Sequence, residues 1–111
     1  MKARTILVES LPATITTLYT VPPNTRAKWV LAFVSNSTGS SVSGVSIEIS
    51  NSETITVFGA KVLQSGDFIR LEQDGGYVIL DPGYSIQGKA NSPGVSCILT
   101  LEETSFVVST S

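Results

Sequence analysis

Apolar and polar residues alternate along most of this chain, and nowhere do they recur at helical spacing. From Val45 to Ser50, Val45, Ile47 and Ile49 fall on one face and Ser46, Glu48 and Ser50 on the other, the signature of a half-buried strand. Val95 to Glu102 repeats the pattern, with Val95, Cys97, Leu99 and Leu101 expected inward. Ile55 with Val57, Ile69 with Leu71, and Tyr84 with Ile86 are expected to face inward in the same way. Phe58 and Phe68 then lie on the outer faces of their strands, where large apolar groups suggest contact with a partner.

Lys28 to Asn36 breaks the rule. Read as a regular strand, it puts Trp29, Leu31 and Phe33 on one face and Val30, Ala32 and Val34 on the other, so both faces need cover. One face belongs to the core, and Trp29 is expected to be buried there. The second face has two candidate covers, the chain's own segments or another subunit.

Turn chemistry separates the runs: Pro22-Pro23-Asn24, Asn36 to Gly44, Asn51-Ser52, Ser65-Gly66, Asp74-Gly75-Gly76, Asp81-Pro82-Gly83 and Asn91 to Gly94. Asp74-Gly75-Gly76, between Arg70-Leu71-Glu72 and Tyr77-Val78-Ile79, predicts a β-hairpin. Turns at such short spacing predict an all-β, antiparallel β-sandwich, jelly-roll-like, of about 8–10 short strands. The length of 111 residues fits a single domain, read as a sandwich with an N-terminal arm over about residues 1–12 and a C-terminal tail over about 104–111.

Composition narrows the chemistry. Sixteen Ser, twelve Thr, twelve Val and nine Ile suit a pleated, half-buried surface better than a helix. With no histidine and one cysteine, zinc sites and Ser-His or Cys-His nucleophiles cannot be built within one chain, and no internal disulfide can form. Cys97 reads as a small buried hydrophobe. Asp67, Glu72, Asp74 and Asp81 lack the spacing of a calcium loop, and Glu102 and Glu103 point to opposite faces of a strand. Asn36-Ser37-Thr38 matches a glycosylation sequon but is read as a bend. A net charge of −2, with basic residues scattered along the chain, disfavours a nucleic-acid stripe. The longest apolar run is far short of the roughly 20 residues that cross a bilayer, and Lys2 and Arg4 lead into no leader-like segment. The expectation is a protein that is not an enzyme, holds no cofactor or metal, and binds neither nucleic acid nor membrane.

Both ends are apolar, at Thr5-Ile6-Leu7-Val8 and Phe106-Val107-Val108, where chain termini are usually polar. They are expected to reach neighbouring subunits. The candidate interface is therefore Phe58, Phe68, Phe106, Val107, Ile6 and Leu7, in a homo-oligomer expected to be a trimer.

The segment "LYTVPPNTRAKWVLAFVSNSTGSSVSGVSIEIS" resembles small β-sandwich virion proteins of tailed bacteriophages. In those, a strand ending in Y-x-V-P is followed by an N-T turn, an apolar strand, an N-x-[ST] bend and an alternating strand. Here these are Tyr19, Val21 and Pro22, then Asn24-Thr25, Trp29 to Val34, Asn36-Ser37-Thr38, and Val45 to Ile49. "LDPGYSIQGKA" resembles the same proteins' P-G-[DE]-x-I element, with Tyr84 where an acidic residue is usual. The resemblance implies a structural role in the virion, made in the bacterial host cytoplasm: a decoration or cement subunit, or a head-tail or tail accessory, whose partners are itself and the major capsid or tail proteins. It implies no catalytic residue. The alternative is a carbohydrate- or receptor-binding sandwich in which Trp29, Tyr77 or Tyr84 stacks on sugar rings.

Overall fold

A computed structural model describes residues 2–72 and 78–106, which form nine strands and no helix. They are β1 (Lys2–Val8), β2 (Thr16–Thr20), β3 (Thr25–Asn36), β4 (Val42–Ser50), β5 (Thr54–Leu63), β6 (Phe68–Glu72), β7 (Val78–Leu80), β8 (Ser85–Lys89) and β9 (Val95–Ser105). The larger sheet runs β1-β9-β3-β6, with β7 also paired to β3, and the smaller runs β2-β8-β4-β5. Every pairing is antiparallel. The sheets pack face to face over a core that includes Leu11, Val21, Trp29, Val34, Val45, Ile47, Leu80, Ile86, Leu99 and Leu101. Both alternating runs behave as expected: Val45 and Ile47, then Val95, Cys97, Leu99 and Leu101, are buried.

β6 and β7 pair with β3 and not with each other. Phe68 to Glu72 oppose Ser35 to Leu31, and Val78 to Leu80 oppose Trp29 to Ala27. The two strands therefore run the same way along one edge of β3, and the hairpin expected around Asp74-Gly75-Gly76 is not formed. Residues 73–77 lie outside the described residues. Turn-forming residues report only a local preference, and here the long-range pairing with β3 decides. With β6 and β7 counted as one interrupted edge strand, successive strands distribute between the sheets in the double-sheet order of a jelly roll.

β3 is not a regular strand either. Trp29 opposes Leu101 and Leu31 opposes Thr100, which leaves Val30 as an extra residue in a bulge. Before the bulge Ala27 and Trp29 point inward; after it Ala32, Val34 and Asn36 do. Trp29 is buried, as expected, and its indole Nε1–H donates to the Leu31 carbonyl at 2.9 Å. Leu31 and Phe33 do not share its face. The single bulge turns them outward.

A similar slip corrects β5. Phe58 opposes Ile47 while Thr56 opposes Glu48, so Val57 is the extra residue. Phe58, expected on the outer face, packs partly buried against the core. Val57, the extra residue of the slip, and Ile55, both expected inward, are 36% and 63% exposed.

The N-terminal segment is not a free arm. Lys2 to Val8 pair in unbroken register with Glu103 to Cys97, and Leu11 is buried, its N–H donating to the Val95 carbonyl at 2.7 Å. Of the tail expected from residue 104, Thr104 and Ser105 extend β9 against Arg26 and Thr25. Residues 107–111 lie outside the described residues.

Candidate functional site

The register places side chains on the outer face of the larger sheet in rows. Leu7 opposes Ile98, and Ile98 opposes Phe33, so these three apolar groups cross β1, β9 and β3 side by side. On β6 the residue opposite Phe33 is Arg70, and Phe68, one row over opposite Ser35, stacks its ring on Phe33 with centroids 5.3 Å apart and planes 21° apart. Leu7 is 74% exposed and Phe68 60%. Single exposed hydrophobics need no explanation, but an apolar row across three strands with a fourth ring beside it marks a contact surface. On one side it is bounded by the Ser35–Ser96 hydroxyl pair at 3.0 Å. On the other lie the Lys28–Glu102 and Arg26–Asp81 ion pairs at 3.7 and 3.1 Å. An apolar centre with a polar rim is the usual anatomy of a protein interface.

The outer face of the smaller sheet carries Thr17, Thr20, Ser46, Glu48, Ser50, Thr56, Ser85 and Gln87. These groups bond among themselves, as in Thr20–Ser85 at 3.2 Å and Gln87 to Thr17 at 3.4 Å. Water satisfies such a face.

Of the residues singled out in the sequence, the structure brings Leu7 and Phe68 together in the band. Ile6 faces the other way, opposite Leu99, and packs against the core. Phe106 sits at the far end of β9, where its N–H donates to the Asn24 carbonyl at 2.9 Å and the Arg26 guanidinium lies 5.5 Å from its ring centre. Val107 lies outside the described residues. Sequence reasoning missed two members of the band. Phe33 was concealed because every neighbour in β3 is apolar, whereas Ile98 was already marked by the alternation of β9.

The interior holds polar chemistry of a structural kind. Tyr19 of the smaller sheet donates its hydroxyl to Glu103 Oε2 of the larger at 2.5 Å, and Arg4 Nη1 stands 3.7 Å from the same oxygen. Burial, followed by the bond to the Glu103 carboxylate, pushes the Tyr19 phenol well above its ordinary range. The group is a tie between the sheets. Asn36 is a second fastener: its Nδ2 donates to the carbonyls of Ser40 and Leu63 at 2.8 and 2.9 Å, and its Oδ1 accepts from Thr38 N at 2.9 Å and Thr38 Oγ1 at 2.6 Å. This sequon asparagine is 1% exposed and its amide is fully engaged, so it cannot accept a glycan in the folded chain. Cys97 is buried as expected, and desolvation pushes its thiol up to about 12.

Among the described residues no three His, Cys, Asp or Glu side chains converge as metal ligands would. Asp67 Oδ2 accepts from the Gln64 N–H of its turn, and Asp81 pairs with Arg26. A cleft of about 70 Å³ is lined by Trp29, Val30, Leu31, Ile49, Val57, Leu71 and Val78. Its walls are aliphatic or aromatic, with no ionisable side chain to orient a reacting group. Of the rings considered for sugar stacking, Trp29 is inside, Tyr84 packs against the core, and Tyr77 lies outside the described residues. No protein-family model and no curated protein matches this chain.

Proposed function

We propose that the chain is a structural subunit of a tailed-phage virion, a decoration, cement or head-tail accessory protein that seats on a capsid or tail protein through the outer face of its larger sheet. The observation that carries this reading is the Leu7–Ile98–Phe33–Phe68 band, set against an opposite face of hydroxyls. The resemblance of residues 18–50 to phage sandwich proteins supports the virion as the setting. The inter-sheet ties at Tyr19–Glu103 and Asn36 suit a building block that keeps its shape under load.

Co-sedimentation of purified chain with particles of the phage that encodes it tests the proposal. Wild-type chain is expected to travel with particles, and Phe68→Glu to stay in the supernatant while its thermal unfolding is unchanged. Wild-type chain that binds no particle, or Phe68→Glu that binds as well as wild type, overturns it. Specific retention on a glycan array, lost on Tyr77→Ala or Tyr84→Ala, would favour the carbohydrate-binding alternative.

A further inference from the structure

A sandwich has four sheet edges, and three of these are blunted. β2 is five residues long with a bulge between Thr17 and Tyr19. β5 meets β4 with three register shifts and carries Ala60 at a φ of 52°. The third edge is shared by two short strands, β6 of five residues and β7 of three, whose register on β3 leaves only Val30 between them. Short, bulged and broken edges are the means by which sheets refuse further strands.

β1 has none of these devices. Its seven residues pair with β9 residue for residue, it holds no proline or glycine, and it is an outer strand of the larger sheet. Its other side therefore offers a straight ladder of backbone N–H and C=O groups.

We infer that β1 pairs antiparallel with β1 of a second copy of this chain, joining two larger sheets into one across a two-fold axis. The side-chain pattern of β1 suits its own reverse. With Thr5 on the axis, all seven residues find partners: Lys2 opposes Val8 of the second copy, Ala3 opposes Leu7, and Arg4 opposes Ile6. The most exposed large hydrophobic among the described residues, Leu7 at 74%, thus meets one of the smallest side chains, Ala3.

Charge points the same way. β1 is cationic at its start, through Lys2 and Arg4. The antiparallel copy sets these two against the apolar Val8 and Ile6 of the other chain, so no two cations meet. A parallel copy would instead stack Lys2 on Lys2 and Arg4 on Arg4. The arrangement is isologous, so it closes at two subunits where the sequence suggested three, and it covers the one edge of the described strands that is guarded by charge alone, at Lys2 and Arg4. It concerns the chain alone and does not depend on a virion partner.

Sedimentation at micromolar concentration is expected to show a species of twice the 11.7 kDa chain mass. Ala3→Glu alone sets a carboxylate against Leu7 of the other copy and should raise the dimer dissociation constant about three- to tenfold, and adding Leu7→Lys, which meets that carboxylate across the axis, should restore it. Hydrogen exchange gives the second reading: alternate β1 amides, those directed away from β9, should exchange slowly in concentrated samples and fast in dilute ones. A monomer at every concentration, a trimer, a dimer indifferent to Ala3→Glu, or β1 amides indifferent to dilution would each overturn the inference.

Discussion

The outer faces of the two sheets share a sandwich, yet one carries a leucine, an isoleucine and two phenylalanines among its polar groups, whereas the other is mainly serine, threonine and glutamine, with Val62 exposed on β5. Inside they are alike, since each sheet contributes aliphatic residues at alternate positions to a common core. The difference outside is therefore not a requirement of folding. The smaller sheet shows that polar outer residues suffice to build a stable sheet here, through hydroxyl pairs such as Thr20–Ser85. The larger sheet keeps Leu7 and Phe68 in water at positions where threonine would serve, and a cost of that kind points to a bound state in which they are covered.

The two faces are kept apart by the β3 bulge, and removing it should give the largest effect. Deleting Val30 forces either Ala27 and Trp29 outward or Leu31 and Phe33 inward, since a one-residue slip exchanges the faces of a strand. Denaturant titration is expected to show a loss of more than about 4 kcal/mol or no folded state at all. Trp29→Ala, which keeps the register but empties the site under the bulge, should cost roughly 3–5 kcal/mol by the same measurement. Native tryptophan emission should be that of a buried indole.

A third test probes the inner side beneath the band. Cys97 neighbours Ile98 but points inward, and its thiol titrates at about 12 in the folded chain against 9.0 for an unburied thiol. A group that holds its proton more tightly when folded lends stability that is complete below its unfolded value and is lost as pH climbs through its folded one. The Cys97 contribution should therefore be constant below about pH 9 and be lost from there towards pH 12. Tyr19, raised from 10.0, adds to the fall above pH 10. Cys97→Ala should remove the part of the slope that begins near 9, as read by urea titrations across alkaline buffers.

The smallest effect belongs to the polar face. Gln87→Glu adds one charge to the smaller sheet as Phe68→Glu does to the larger. It should leave stability within about 0.5 kcal/mol and particle association unchanged. Phe68→Glu is expected to weaken that association about tenfold or more, the scale of losing an aromatic anchor. Equal losses from both substitutions, read by co-sedimentation, would erase the distinction between the faces.

Strand positions were legible wherever polarity alternated, as in Val45–Ser50 and Val95–Glu102. They were illegible where it did not. From Trp29 to Val34 every residue is apolar, so the phase of the strand carries no signal and the Val30 bulge leaves no trace in the sequence. In β5 the slip at Val57 reversed the assignment of Phe58, because an inserted residue inverts everything beyond it. Asp74-Gly75-Gly76 misled for another reason: it suits a hairpin locally, whereas the partner of both flanking strands lies some forty residues earlier in the chain, in β3. Half of the band was foreseen, through Leu7 and Phe68. The other half required the register, which joins residues far apart in sequence.

Hydroxyl-radical footprinting of the free chain and of the chain mixed with the virion particles proposed above as its partner tests the central claim most directly, since it reads the solvent access of individual apolar side chains. Leu7, Phe33, Phe68 and Ile98 are expected to lose reactivity together on assembly. Ile55 and Val62, which are 63% and 55% exposed on β5 of the other sheet, should react as before. Protection of Ile55 and Val62 with the four band residues left reactive would contradict the account.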